Sequence, residues 1–145
     1  MAAAVEFEIV TLEQGLVAGL TVPLAGREVT ARDLDLVNFT WDRYLAREKD
    51  AARAAAYIGQ NDHAVAVLGY EVAGLDEVDE GDVLTRIPAG RYAKFVVSDK
   101  PYDLLRTAWA QVVKAENAGM ITRSHTAELE RYTGPTSVEV YVSLS

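Results

Sequence analysis

Two stretches, IVTLEQGLVAGLTV at residues 9–22 and VLTRIPAGRYAKFVV at 83–97, share one order: strand, turn glycine, strand. Each leads into a helical segment carrying a single tryptophan, Trp41 or Trp109. Each helix then feeds a strand region holding a tyrosine, Tyr70 or Tyr132. This weak repeat with insertions favours duplication over coincidence and points to two matched halves, about 5–73 and 82–144 of one domain spanning 1–145.

The local patterns give the halves their elements. Val5, Phe7 and Ile9 alternate with Glu6 and Glu8, as in a half-buried strand. Leu16, Ala18, Leu20 and Val22 share the face of a second strand, which Pro23 and Gly26 end. The period then lengthens. Leu34, Val37, Trp41, Tyr44, Leu45 and Glu48 follow helical spacing, with Thr30 suited to cap the start. Alanines at 51–56 leave open whether the helix runs on. AVAVLGYEV at 64–72 is apolar on both faces and reads as a central strand. GLDEVDEG at 74–81 is an acidic loop and the natural internal junction.

In the second half a hairpin turns at PAG, residues 88–90. Ser98 or Asp99 with Pro101 opens a helix whose stripe is Leu105, Ala108, Trp109, Val112 and Val113, and Asn117 and Gly119 suit its end. Strands at about 124–132 and 137–144 close the chain. The expected order is ββαβ, then ββαβ and a final strand. The expected class is α+β: a curved antiparallel sheet with both main helices on one side, leaving a concavity at the seam between halves or on the far sheet face.

Composition excludes several functions. A net charge of −8, with no arginine cluster, argues against direct nucleic-acid binding. No cysteine is present, so disulfides, thiolate metal sites and a cysteine nucleophile are excluded. MAAAVEFEIV lacks the basic opening of a signal peptide, and no apolar run approaches spanning length. A cytoplasmic protein away from membranes is expected. His63 reads as an ordinary loop residue. His125 near Glu128 and Glu130 is thin ground for a metal pair, so neither metal nor cofactor is expected. No nucleotide-binding loop, nucleophile elbow or zinc-protease motif occurs.

The stretch AELERYTGP, residues 127–135, poses the chemical question. In a strand, Glu128, Glu130 and Tyr132 share one face. On an exposed edge such acids would discourage aggregation. In an aromatic pocket they would need a match, which a cationic ligand supplies along with cation–π attraction. Tyr92 lies on the strand face opposite Ala93, Phe95 and Val97, so it is ordinary surface or a pocket wall.

IPAGRYAKF (87–95), LLRTAWAQVV (104–113), LERY (129–132) and the ending VEVYVSL together resemble the GyrI-like effector-binding family. That family senses ligands in AraC-type and MerR-type transcription regulators and also stands alone. The resemblance implies two strand-helix-strand-strand units with a ligand cleft between them. It assigns the cleft acid to Glu130, with Trp109 and Tyr92 as matched aromatics and Trp41, Tyr70 and Tyr132 as further walls. Glu128 inherits no role and is expected at the rim, nearer water. Strand character from Val5 onward implies a stand-alone member without a DNA-binding segment. The expected function is capture of lipophilic, and by family analogy cationic, small molecules, as a sensor or sequestering protein. Two other functions follow from the same resemblance: hydrolysis of reactive cyclopropane-bearing compounds in the same cleft, or contact with a protein partner such as gyrase.

Overall fold

The computed structural model describes residues 6–24, 31–49, 51–60, 63–101 and 103–145. Eight strands and two helices follow one another as β1 (Glu8–Leu12), β2 (Gly15–Leu24), α1 (Ala31–Leu45), β3 (Arg53–Gln60), β4 (His63–Val72), β5 (Val83–Ile87), β6 (Gly90–Ser98), α2 (Leu104–Asn117), β7 (Arg123–Gly134) and β8 (Ser137–Leu144). One antiparallel sheet has the order β1-β6-β8-β7-β3-β4-β2-β5. That order is symmetric about the β7–β3 seam, where β7 matches β3, β8 matches β4, and β6 matches β2. The expected α+β class and pseudo-twofold layout are present. The outermost strands are exchanged: β1 pairs with β6 of the second half, and β5 pairs with β2 of the first.

One element departs from expectation. The helix stops at Leu45, and the alanine-rich segment beyond it forms β3. Ala54, Ala55 and Ala56 are fully buried, flanked by β4 and β7. Small side chains suit a central strand covered on both faces, and this packing outweighs alanine's helix propensity. Glu48, expected on the helix, lies past its end with a left-handed φ of 53°. The proposed cap Thr30 and the breaker Gly26 lie outside the described residues, and β2 continues through Pro23 to Leu24.

Helices and sheet enclose the main core. Leu34, Val37, Trp41 and Tyr44 from α1 and Leu104, Leu105, Ala108, Trp109, Val112 and Ala115 from α2 are buried. They cover a sheet face built by Ala18, Val22, Ala55, Tyr57, Ala66, Leu68, Phe95, Val138, Val140 and Val142. Leu45 and Val113, expected in the helix stripes, are instead 49% and 42% exposed at their margins. The opposite face carries a smaller core of Val17, Ala56, Val67, Ile87, Tyr92, Leu129 and Tyr141. At one point the backbones meet closely. Gly19 faces Gly69 across β2 and β4, and a Cβ on Gly69 would lie 2.0 Å from the Ala18 carbonyl oxygen. The acidic loop holds a short 3-10 turn, Leu75–Glu77, between the last strand of the first half and β5. No helix among the described residues is long and apolar enough to cross a membrane.

Candidate functional site

The seam between β3 and β7 sets the site. Glu130 stands opposite Ala55, and Glu128 stands opposite Tyr57. Period-two alternation puts Tyr132, Glu130 and Glu128 of β7 on the same face as Arg53, Ala55 and Tyr57 of β3. That face lies under the helices, with Trp41 descending from α1 and Trp109 from α2.

The aromatic residues cross between halves. Trp41 of the first half meets Tyr132 edge-on, with centroids 5.2 Å apart and planes at 76°. Trp109 of the second half meets Tyr57 edge-on at 5.5 Å and 78°. Edge-to-face pairs of this kind each contribute about 1 kcal/mol beyond the area they bury. Under the local twofold of the seam, Tyr57 is the counterpart of Tyr132. Glu130 occupies the place that alanine takes in the other half, so one carboxyl sits between two matching aromatic pairs.

Glu130 is fully buried. Trp109 donates its indole N–H to Oε2 at 2.7 Å, and the Tyr132 hydroxyl donates to Oε1 at 2.9 Å. Loss of water pushes its pKa up to about 7, more than these donors and the nearby charge of Arg53 pull it back. Around the carboxyl, burial and its negative charge push the phenols of Tyr57 and Tyr132 well above their ordinary range. The Tyr57 hydroxyl and the Trp41 indole N–H are buried without a hydrogen-bond partner of ordinary geometry.

Beside this cluster opens a cavity of about 600 Å³. It lies between α1, the first turn of α2, and the ends of β3 and β7. Trp41, Tyr44, Arg53, Leu104, Leu105 and Tyr132 are among its walls, and Asp42, Glu48 and Lys49 add charge. Glu130 is not on the wall. It sits one layer in, behind the Tyr132 ring that hydrogen-bonds to it.

The expected site residues divide accordingly. Glu130, Trp109, Trp41 and Tyr132 are brought together. Tyr92 is buried on the opposite sheet face, where its hydroxyl donates to the Pro88 carbonyl at 2.6 Å. Tyr70 shares the helix side but lines no part of the cavity. Its hydroxyl donates to Asp82 at 2.6 Å and accepts the Asp79 amide at 2.8 Å, tying down the acidic loop. Glu128 is 5% exposed, not a rim charge. It accepts a 2.6 Å bond from the buried Arg123, which desolvation of both charges makes necessary. Its carboxyl is held above its ordinary range by that burial, against the pull of Arg123. His125 sits in the bulged start of β7 with φ 56° and points Nε2 at Glu116, 3.2 Å away. Among the described residues no group of acids and histidines is arranged to hold a metal ion. Arg53 and Tyr57 were missed, and reading 53–57 as a strand would have put both on the face of Glu130.

Residues 8–144 match the family model described as Cass2, integron-associated effector binding protein. The chain belongs to that family. The expected tie to GyrI-like effector-binding proteins therefore holds, and Cass2-family membership makes this an effector-binding fold. The Vibrio cholerae integron cassette protein VCH_CASS2 superposes with a TM-score of 0.75 over 96% of this chain and 95% of its own, at 16% identity. SAV2435 bound to tetraphenylphosphonium gives 0.73 over 97% and 94%, at 11% identity. A putative transcription regulation protein from Staphylococcus aureus MU50 gives 0.74 over 98% and 99%, at 9% identity. At such identities the likeness is one of fold. No protein with a curated description matches the sequence.

Proposed function

We propose that this Cass2-family protein binds lipophilic cations in the cleft between its helices, with Glu130 as electrostatic anchor, and acts as a cytoplasmic sensor or sequestering protein. One observation carries the reading: a fully buried carboxyl flanked by two crossed tryptophan–tyrosine pairs, beside an aromatic-walled cavity of about 600 Å³. A shift of Glu130 from 4.5 to about 7 corresponds to about 3 kcal/mol of unfavourable burial for its charged form. A cation brought close would recover part of that energy, and the rings would add cation–π attraction. Rigid aromatic walls lose little side-chain entropy, so ligands of varied shape fit. The relative of the same fold that binds tetraphenylphosphonium, a lipophilic cation, supports the choice of ligand class.

Binding is favoured over hydrolysis by the state of Glu130. Both its oxygens already accept hydrogen bonds and Glu130 does not line the cavity, so its carboxyl is poorly placed to activate a nucleophile against a bound ligand. The test is a titration of wild-type protein and Glu130→Gln with tetraphenylphosphonium, read by quenching of Trp41 and Trp109 fluorescence. Wild type should bind at least tenfold more tightly. Equal affinities would remove Glu130 as anchor.

A further inference from the structure

Two arginines lean on the two helix tryptophans, and they are held differently. Arg123 lies with its guanidinium carbon 5.7 Å from the Trp109 ring centre. Carboxylates pin it, Glu128 at 2.6 Å and Glu116 at 3.6 Å, and its side chain is only 4% exposed. Arg53 sits closer to its rings, 4.2 Å from the centre of Tyr132 and 4.9 Å from that of Trp41. Yet Arg53 forms no hydrogen bond or ion pair with any described residue. It lines the cavity, and its charge acts on the carboxyl of Glu130.

Arg53 thus rests on the same two rings, and in the field of the same acid, that a bound cation would use. We propose that Arg53 is the cleft's own cation: a tethered guanidinium that fills the aromatic seat when no ligand is present and that an incoming lipophilic cation must displace. The inference rests on the cationic-ligand reading above and adds a residue that sets specificity. A tethered competitor acts at a high effective concentration, so a ligand must offer more than charge to win. Small hydrophilic amines offer only charge. Aromatic or branched cations add apolar contact that arginine lacks, and they prevail. Arg53 is suited to leaving because, among the described residues, it is held by ring contacts and the field of Glu130 without a hydrogen bond, and it is only partly buried at the start of β3.

The probes are tetraphenylphosphonium and tetraphenylborate, lipophilic ions of similar shape and opposite charge. Titration calorimetry would compare wild type, Arg53→Met, Arg53→Lys and Glu130→Gln. Arg53→Met keeps the apolar stem and should bind tetraphenylphosphonium roughly tenfold more tightly, the size of a desolvated cation–π contact. Tetraphenylborate should lose affinity in the same variant. Arg53→Lys keeps a competing cation and should stay within about threefold of wild type, which separates charge from bulk.

NMR reads the displacement directly. Lying over two rings, the Arg53 side-chain protons should resonate upfield and return to ordinary positions when tetraphenylphosphonium saturates the protein. Unchanged or weaker tetraphenylphosphonium binding by Arg53→Met, or Arg53 protons that stay upfield at saturation, would overturn the proposal while leaving the cleft reading intact. Equal binding by wild type and Glu130→Gln would instead defeat the anchor reading. Absence of binding by every variant would defeat both.

Discussion

Trp109 on α2 donates its indole N–H to Oε2 of Glu130 on β7 at 2.7 Å, joining a helix to the seam strand through a fully buried bond. The bond favours the ionised carboxyl, so its value depends on pH. Replacing Trp109 by Phe keeps a ring and removes the donor, raising the Glu130 pKa further. The destabilisation measured by urea unfolding should therefore be greater at pH 8, where the acid is charged, than at pH 5, by about 1 kcal/mol.

Glu130 gives the fold a pH dependence of its own. Its folded-state pKa of about 7 lies above the ordinary 4.5, so between these values the native state holds a proton that the unfolded chain has released. Stability is full below about pH 4.5 and falls as pH rises through 7, by about 3 kcal/mol from this group. Glu130→Gln lacks the loss. Relative to wild type it should gain about 2.5 kcal/mol between pH 5 and pH 8, read from urea midpoints at the two pH values.

The same titration should govern the proposed ligand. A cation prefers the ionised carboxyl, so tetraphenylphosphonium affinity should climb from pH 6 to pH 8 and level off above about 7. Below that value the slope approaches roughly tenfold per pH unit. Glu130→Gln should show a flat profile. A wild-type profile equally flat would mean that the acid does not sense the bound charge.

The buried pair of Arg123 and Glu128 is structural, and substitutions should show it. Glu128→Gln leaves the guanidinium without a full counter-charge and should cost about 3 kcal/mol in chemical denaturation. Replacing both partners, Arg123→Met with Glu128→Leu, should restore most of that loss, because two desolvated charges leave together. A double variant no better than the single one would show that Arg123 is held by more than its carboxylates.

The facing glycines of β2 and β4 permit no side chain. Gly69→Ala would drive a methyl into the Ala18 carbonyl, which lies 2.0 Å from the ideal Cβ position. The ladder must shift, and thermal unfolding should report a loss of about 3 kcal/mol.

Much of this was legible in the sequence, and the misses have physical causes. Alternation in the last strands placed Glu130 and Tyr132 on one face, and helical spacing placed both tryptophans toward the sheet. What misled was RAAAY. Alanine is the best helix former in isolation, yet three of them make a thin central strand when both faces are covered. Leaving that segment open hid Arg53 and Tyr57, and the role of Tyr57 as counterpart of Tyr132 went to Tyr70. Tyr92 was correctly seen to point away from the helices, but sequence gives no sign that β5 and the sheet's curvature would bury that face too. Glu128 looked exposed because its partner, Arg123, approaches it across a bulge that no periodicity reveals.

The exchange of β1 and β5 bears on how the cleft can adapt. Each half contributes its first strand to the far margin of the other, and β3 binds β7 along the middle. Swinging the halves apart like the covers of a book would tear three backbone ladders at once. The sheet is therefore a fixed floor, and room for a larger guest has to come from above it. Tilting of α1 and rotation of the rings it carries can supply that room, so variation in what the protein holds should be written into the helices and spared from the strands.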